Sequence, residues 1–141
     1  MSTDNETGAE MITIVLQSGS YDRVTNALSL AIVALTMGME AHIFLTYAGL
    51  RRFVNGHFED VFDTDAELQE MFQKGIASGN IHSIEDKLAI ARDLGLKLYA
   101  CTTAMGTMGI TRQDLVDDVD EIMGLPTFLL LAKKATVNWY I

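Results

Sequence analysis

Cysteine is nearly missing from this chain: Cys101 stands alone among 141 residues. That excludes an intramolecular disulfide, a CxxC redox pair and any cysteine-rich zinc site. Proline occurs once, as Pro126, and no proline-rich linker, repeat or low-complexity tract divides the chain. Basic charge is also short. Ten Lys plus Arg face nineteen Asp plus Glu, giving a formal charge of −9, the wrong sign for counterion release from a phosphate backbone. Nucleic acid is therefore not an expected partner. The longest apolar stretch, Ala27 to Met39, is broken by Ser29, Thr36 and Gly38 and falls short of the roughly 20 residues of a membrane span. Residues 1–10 carry three acidic side chains and no basic ones. They read as a disordered, solvated leader rather than a signal peptide, and the expected compartment is the cytoplasm.

What remains has an ordinary globular balance, with 49% apolar and 21% charged residues, and a length suited to one core. A single domain over residues 11–141 is expected. Met11-Ile-Thr-Ile-Val-Leu16 reads as a buried strand closed by the turn Gln17-Ser-Gly-Ser20. Val24, Ala27, Leu28, Ala31 and Leu35 recur at helical spacing before Gly38, which predicts a helix from Tyr21 to Met37. Ala41 to Thr46 and Leu96 to Cys101 are further strand-like runs, and Thr136 to Ile141 is a terminal one. Helices are predicted over Asp65 to Ala77 with Asp63 or Thr64 as N-cap, from the capping box at Ser83 to Gly95, and over Leu125 to Lys133 with Pro126 in its first turn. Strands alternating with helices predict a three-layer α/β/α sandwich with a mainly parallel sheet of about five strands.

Ligand sites of open parallel sheets lie beyond the carboxyl ends of the strands. Cys101 closes one such strand, and the small, hydroxylated run Thr102-Thr-Ala-Met-Gly-Thr-Met108 after it can turn into a short helix whose free amides point back at the sulfur. Such donors favour thiolate, the form that attacks sulfur or carries it as a persulfide. The alternative is an inert, packed cysteine. Cys101, Met105 and Met108 together are soft ligands that would suit Cu(I). Methionine at helical spacing is more often hydrophobic filler, so neither a metal nor a cofactor is expected. His42, His57 and His82 show no metal-ligand spacing, and no general base for Cys101 is evident. Asp114, Asp117, Asp118, Asp120 and Glu121 follow Thr111 in a capping-box pattern, which reads as a solvated, capped helix. No GxGxxG or P-loop lysine supports nucleotide binding.

The segments Ser18-Gly-Ser-Tyr-Asp22, Ala34 to Thr46, Gly49-Leu50 and above all Leu94-Gly-Leu-Lys-Leu-Tyr-Ala-Cys-Thr-Thr-Ala-Met-Gly-Thr-Met-Gly-Ile110 resemble the DsrE/DsrF-like sulfur-relay family, in particular its peroxiredoxin-like-labelled branch. The resemblance implies a small parallel α/β subunit that assembles into homo-oligomers, commonly trimers or hexamers. It also implies a sulfur carrier or sulfurtransferase, with Cys101 accepting sulfane sulfur as a persulfide and passing it between donor and acceptor proteins or small sulfur compounds. Thr102, Thr103, Met105, Met108 and Gly19 would form the environment of that cysteine. The segment from Arg51 to Gly79 departs from many relatives in being shorter and more polar. A non-catalytic oligomeric binding or scaffold subunit, in which Cys101 only packs, is the competing expectation, since the family includes members without the cysteine.

Overall fold

The computed structural model describes residues 10–61 and 64–141. Residues 1–9 of the expected leader, and Asp63 as a possible cap, lie outside them. The elements run β1 (Met11–Leu16), α1 (Tyr21–Thr36), β2 (Glu40–Leu45), α2 (Tyr47–Arg52), α3 (Ala66–Ser78), α4 (Ile84–Asp93) and β3 (Lys97–Cys101). They continue with α5 (Thr102–Met108), a 3-10 turn (Arg112–Asp114), β4 (Glu121–Met123), α6 (Leu125–Ala132) and β5 (Val137–Tyr140). The five strands pair in the order β4-β3-β2-β1-β5, every pair parallel. This is the predicted α/β architecture.

Alternation along the strands assigns the two faces of the sheet. Ile12, Ile14 and Leu16 of β1 with Ala41, Ile43 and Leu45 of β2 are buried on the side of α1, which in turn packs on α4. Val24, Ala27, Leu28 and Ala31 form the inward stripe of α1, the three- and four-residue spacing that burial of one helix face requires. On the opposite side Phe128 of α6 stacks on Phe44, with ring centroids 4.8 Å apart, and tilts against Tyr99 at 5.9 Å. Helix α6 leads from one edge strand, β4, to the other, β5. Its eight residues, about 12 Å long, cover the middle of that face only.

Two local expectations are corrected. Helix α3 is capped by Asp65, whose carboxylate accepts from the Glu67 and Leu68 amides. Thr64 is engaged elsewhere: its hydroxyl accepts the Tyr21 N–H at 2.9 Å. The expected helix through the acidic run is instead one 3-10 turn followed by a strand. The capping box of Thr111 and Asp114 does form, but the next residues pair with a distant segment. Leu115 bridges Val54, Asn55 N–H donates to Asp114 O at 2.8 Å and Val116 N–H to Phe53 O at 2.9 Å. Those non-local hydrogen bonds pull the chain into extended conformation and deliver Glu121–Met123 to the sheet as β4.

Candidate functional site

Cys101 is the last residue of β3 and the N-cap of α5. The change from extended backbone to helix at this point leaves the first amides of α5 without intrahelical partners, and one of them, Ala104 N–H, donates to Cys101 Sγ at 3.5 Å. In the sheet register Cys101 is level with Met123 of β4. On its other side the pairing Leu45↔Ala100 puts Thr46, the residue after β2, beside it. Cys101 is 5% exposed. The residues around it divide by position on α5: Thr102 and Thr103 are exposed, Met108 is half-buried, and Met105 is buried in the same apolar cluster as Cys101.

Gly19 is placed differently. It follows β1, which lies two strands from β3 in the sheet, about 10 Å at the usual strand spacing. Its lack of a side chain serves a close crossing, because a Cβ there would meet Ala48 of α2, with the carbonyl carbon only 2.9 Å away. Gly49 meets Leu16 in the same way, at 2.9 Å from its carbonyl carbon. The two glycines lay α2 directly over the carboxyl end of β1. At the start of α2 the chain adopts a left-handed conformation at Tyr47, φ 48°, a region that costs a non-glycine residue free energy. Helix α2 also packs on α5, so the carboxyl edge is built from the β1 loop, α2 and α5 together.

The buried Arg52, which sequence reasoning missed, ties this edge together. Its Nε donates to Gly19 O at 3.0 Å and a second guanidinium N–H reaches the same oxygen, while the remaining nitrogen donates to His57 O at 2.9 Å and to Asp60 O. The planar guanidinium suits this task because its N–H donors fan out in fixed directions. Its signal in the sequence was absent: the segment Arg51 to His57 has no period. Nearby, Tyr21 Oη donates to Glu59 at 2.7 Å and accepts the Ile84 N–H at 3.2 Å. Burial, followed by the Glu59 hydrogen bond and charge, pushes the Tyr21 phenol well above its usual range.

Below Cys101 on the same face of β3, Tyr99 Oη bonds His42 Nδ1 at 2.8 Å, and His42 Nε2 bonds Glu40 at 3.1 Å. Burial, with the charges of Glu121, Asp120 and Glu40 behind it, pushes the Tyr99 phenol up to about 12. Tyr99 therefore keeps its proton at neutral pH. Glu40 only accepts, so in the neutral imidazole Nε2 carries the hydrogen and Nδ1 accepts from Tyr99. His57 pairs with Asp60 at 2.9 Å on the surface.

Residues 61–140 match the model of the DsrE/DsrF/DrsH-like family. The chain belongs to that family. A curated relative, described as uncharacterized protein YrkE of Bacillus subtilis (strain 168), is 28% identical over 153 aligned positions, covering 92% of this chain and 95% of YrkE. Two solved structures share the fold. The YchN protein of E. coli superposes with a TM-score of 0.65 at 18% identity, covering 94% of this chain and 99% of its own. MTH1491 of Methanobacterium thermoautotrophicum, titled a protein of unknown function, gives 0.58 at 10% identity, with 92% and 98% covered. Membership in the DsrE/DsrF/DrsH-like family suggests a role of the sulfur-relay type. No helix among the described residues is long and apolar enough to cross a membrane.

Proposed function

We propose that this chain is a sulfur carrier that accepts and passes sulfane sulfur as a persulfide on Cys101, working as a homo-oligomer in the cytoplasm between sulfur donors and acceptors. The observation that carries the reading is the Ala104 N–H aimed at Sγ from the first turn of a helix that Cys101 itself caps. Negative charge on this sulfur meets an amide donor rather than a carbonyl, and charge-assisted bonds of that kind are the stronger ones. In the transfer, the Cys101 thiolate attacks the outer sulfur of a donor persulfide. The Sγ–S bond forms, the donor S–S bond breaks, and its electron pair leaves on the donor thiolate. An acceptor thiolate then attacks the same sulfane sulfur and returns Cys101 to thiolate, so no external oxidant enters. Thr102 and Thr103 form the solvent side of the sulfur, Met105 and Met108 its apolar side, and Gly19 holds the β1 loop at the same edge.

One observation favours the competing reading of a binding or scaffold subunit: Cys101 is only 5% exposed, as packed cysteines are. Intact mass after exposure to polysulfide separates the two. The carrier gains sulfur that thiol reductant removes, and Cys101→Ser gains none. A stable gain resistant to reductant marks sulfinic acid instead. A folded wild-type protein that takes up no sulfur overturns the carrier reading and leaves the scaffold.

A further inference from the structure

Helix α1 and the edge strand β5 hold an apolar cavity of about 330 Å³ between them. Leu30, Val33 and Met37 contribute its α1 wall, and Val137 and Trp139 its β5 wall. The polar residues that line it, Asn26 and Ser29, both stand at the N-terminal end of the α1 wall. The cavity is therefore graded along the helix, polar for one turn and apolar for the next two, over about 12 Å from Ser29 to Met37 at the usual rise per residue. Ligand enters from solvent, since Val33 is 55% and Met37 71% exposed. An apolar pocket of this size with a few polar groups gathered in one place has the usual form of a small-molecule site.

A cation stands at the polar end. Lys87 of α4 reaches across to α1, where its Nζ donates to Ser29 Oγ at 2.8 Å and to the Thr25 carbonyl at 3.4 Å. Both partners are neutral. Among the described residues no carboxylate pairs with this ammonium: Asp22 on α1 and Glu85 and Asp86 on α4, the acidic residues next to it along the two helices, make no bond to it. Lys74, in contrast, pairs with Glu70 at 2.7 Å. Burial lowers the Lys87 amine from its ordinary value, as it does for a partly desolvated cation without a counter-ion. One turn before Ser29, the Thr25 hydroxyl is buried and has no hydrogen-bond partner, so a second polar group at this end of the helix wall is left unsatisfied.

We propose that the cavity binds a medium-chain aliphatic carboxylate, its alkyl chain along Leu30, Val33 and Met37 against Trp139 and its carboxylate on Lys87 Nζ and Ser29 Oγ. The occupant follows from the grading and from the charge at its end. A purely apolar molecule leaves Lys87 without a counter-ion, a small anion leaves the apolar wall in water, and an alkyl amine sets two cations together. The formal charge of −9 opposes anions at long range, but at 0.15 M salt that field is screened beyond about 8 Å, and the contact at Lys87 is not. The cavity shares no residue with the surroundings of Cys101, so ligand uptake and sulfur transfer are tested separately.

Trp139 is the one tryptophan of the chain, and its fluorescence reports on the cavity. Titration with hexanoate, octanoate and decanoate, each below its micelle-forming concentration, is expected to shift the emission to the blue, with affinity rising about two- to fourfold per methylene. Octanol and octylamine are expected to bind about tenfold more weakly than octanoate, or less. Lys87→Met is expected to bring octanoate down to the affinity of octanol and to leave octanol unchanged. Val33→Glu, at an exposed position of the wall, is expected to abolish binding of both. Equal affinity of wild type for octanoate and octanol overturns the assignment without recourse to any variant, as does an unchanged spectrum with all three carboxylates. Undiminished octanoate binding by Lys87→Met overturns it too. A second copy seated on the groove is a further overturning result: wild type then takes up no ligand, and Val33→Glu lowers the mass found by sedimentation.

Discussion

Arg52 is a cation almost removed from water, and its charge is accommodated by backbone carbonyls of three separate positions, Gly19, His57 and Asp60. Removing the guanidinium strands those carbonyls, and an unsatisfied buried polar group costs more than the hydrogen bond it loses. Arg52→Met is expected to lower unfolding free energy by about 2–4 kcal/mol in urea titration. Gly19→Ala forces a Cβ onto the backbone of Ala48 and is expected to cost about 1–3 kcal/mol. Both changes loosen the same crossing of α2 over the β1 loop, so the double variant should lose less than the sum of the two. Additive losses would show that Arg52 acts through the 57–60 segment alone. At this scale the sequence was informative only where cause is local. Cys101 ends an apolar run and precedes small residues, so its place at a strand end was legible. Its burial was not, because that depends on β4 and α2 arriving from elsewhere in the chain.

Among the elements, Asp120 shows how a loop carboxylate positions a strand. It accepts from Arg92 at 2.6 Å and from the Leu98 N–H at 2.8 Å, linking the end of α4 to the start of β3. Burial raises this carboxyl, but the Arg92 and Leu98 hydrogen bonds and the charges of Arg92 and Lys97 outweigh it and hold the group below its ordinary value. The folded chain thus binds this proton more weakly than the unfolded one. The resulting stability is full above the unfolded value of about 3.9 and is lost as pH falls through the lower folded value. Asp120→Asn is expected to cost about 1–2 kcal/mol at pH 7, with the gap to wild type narrowing below about pH 4. A gap that stays constant down to about pH 2 would assign the cost to packing. Strands and helices with their own periodicity were readable in advance: β1, α1, β2, α4, β3, α6 and β5. The 3-10 turn and β4 were not, since a capping box followed by acidic residues reads as a helix until Phe53 to Asn55 take its hydrogen bonds.

For the whole molecule, charge and shape act against each other. Each copy carries −9, and that net charge repels a second copy at long range. Repulsion between exposed charges is screened over a Debye length that shrinks from ~30 Å at 0.01 M salt to ~8 Å at 0.15 M. Salt therefore weakens the repulsion and leaves backbone hydrogen bonds and apolar burial nearly untouched. The association constant measured by sedimentation should rise across that range, and rise again as pH moves from 7 toward the isoelectric point near 4.6. A cross-copy contact built on ion pairs has the opposite dependence. Assembly that falls apart with added salt would locate the interface on charged surface.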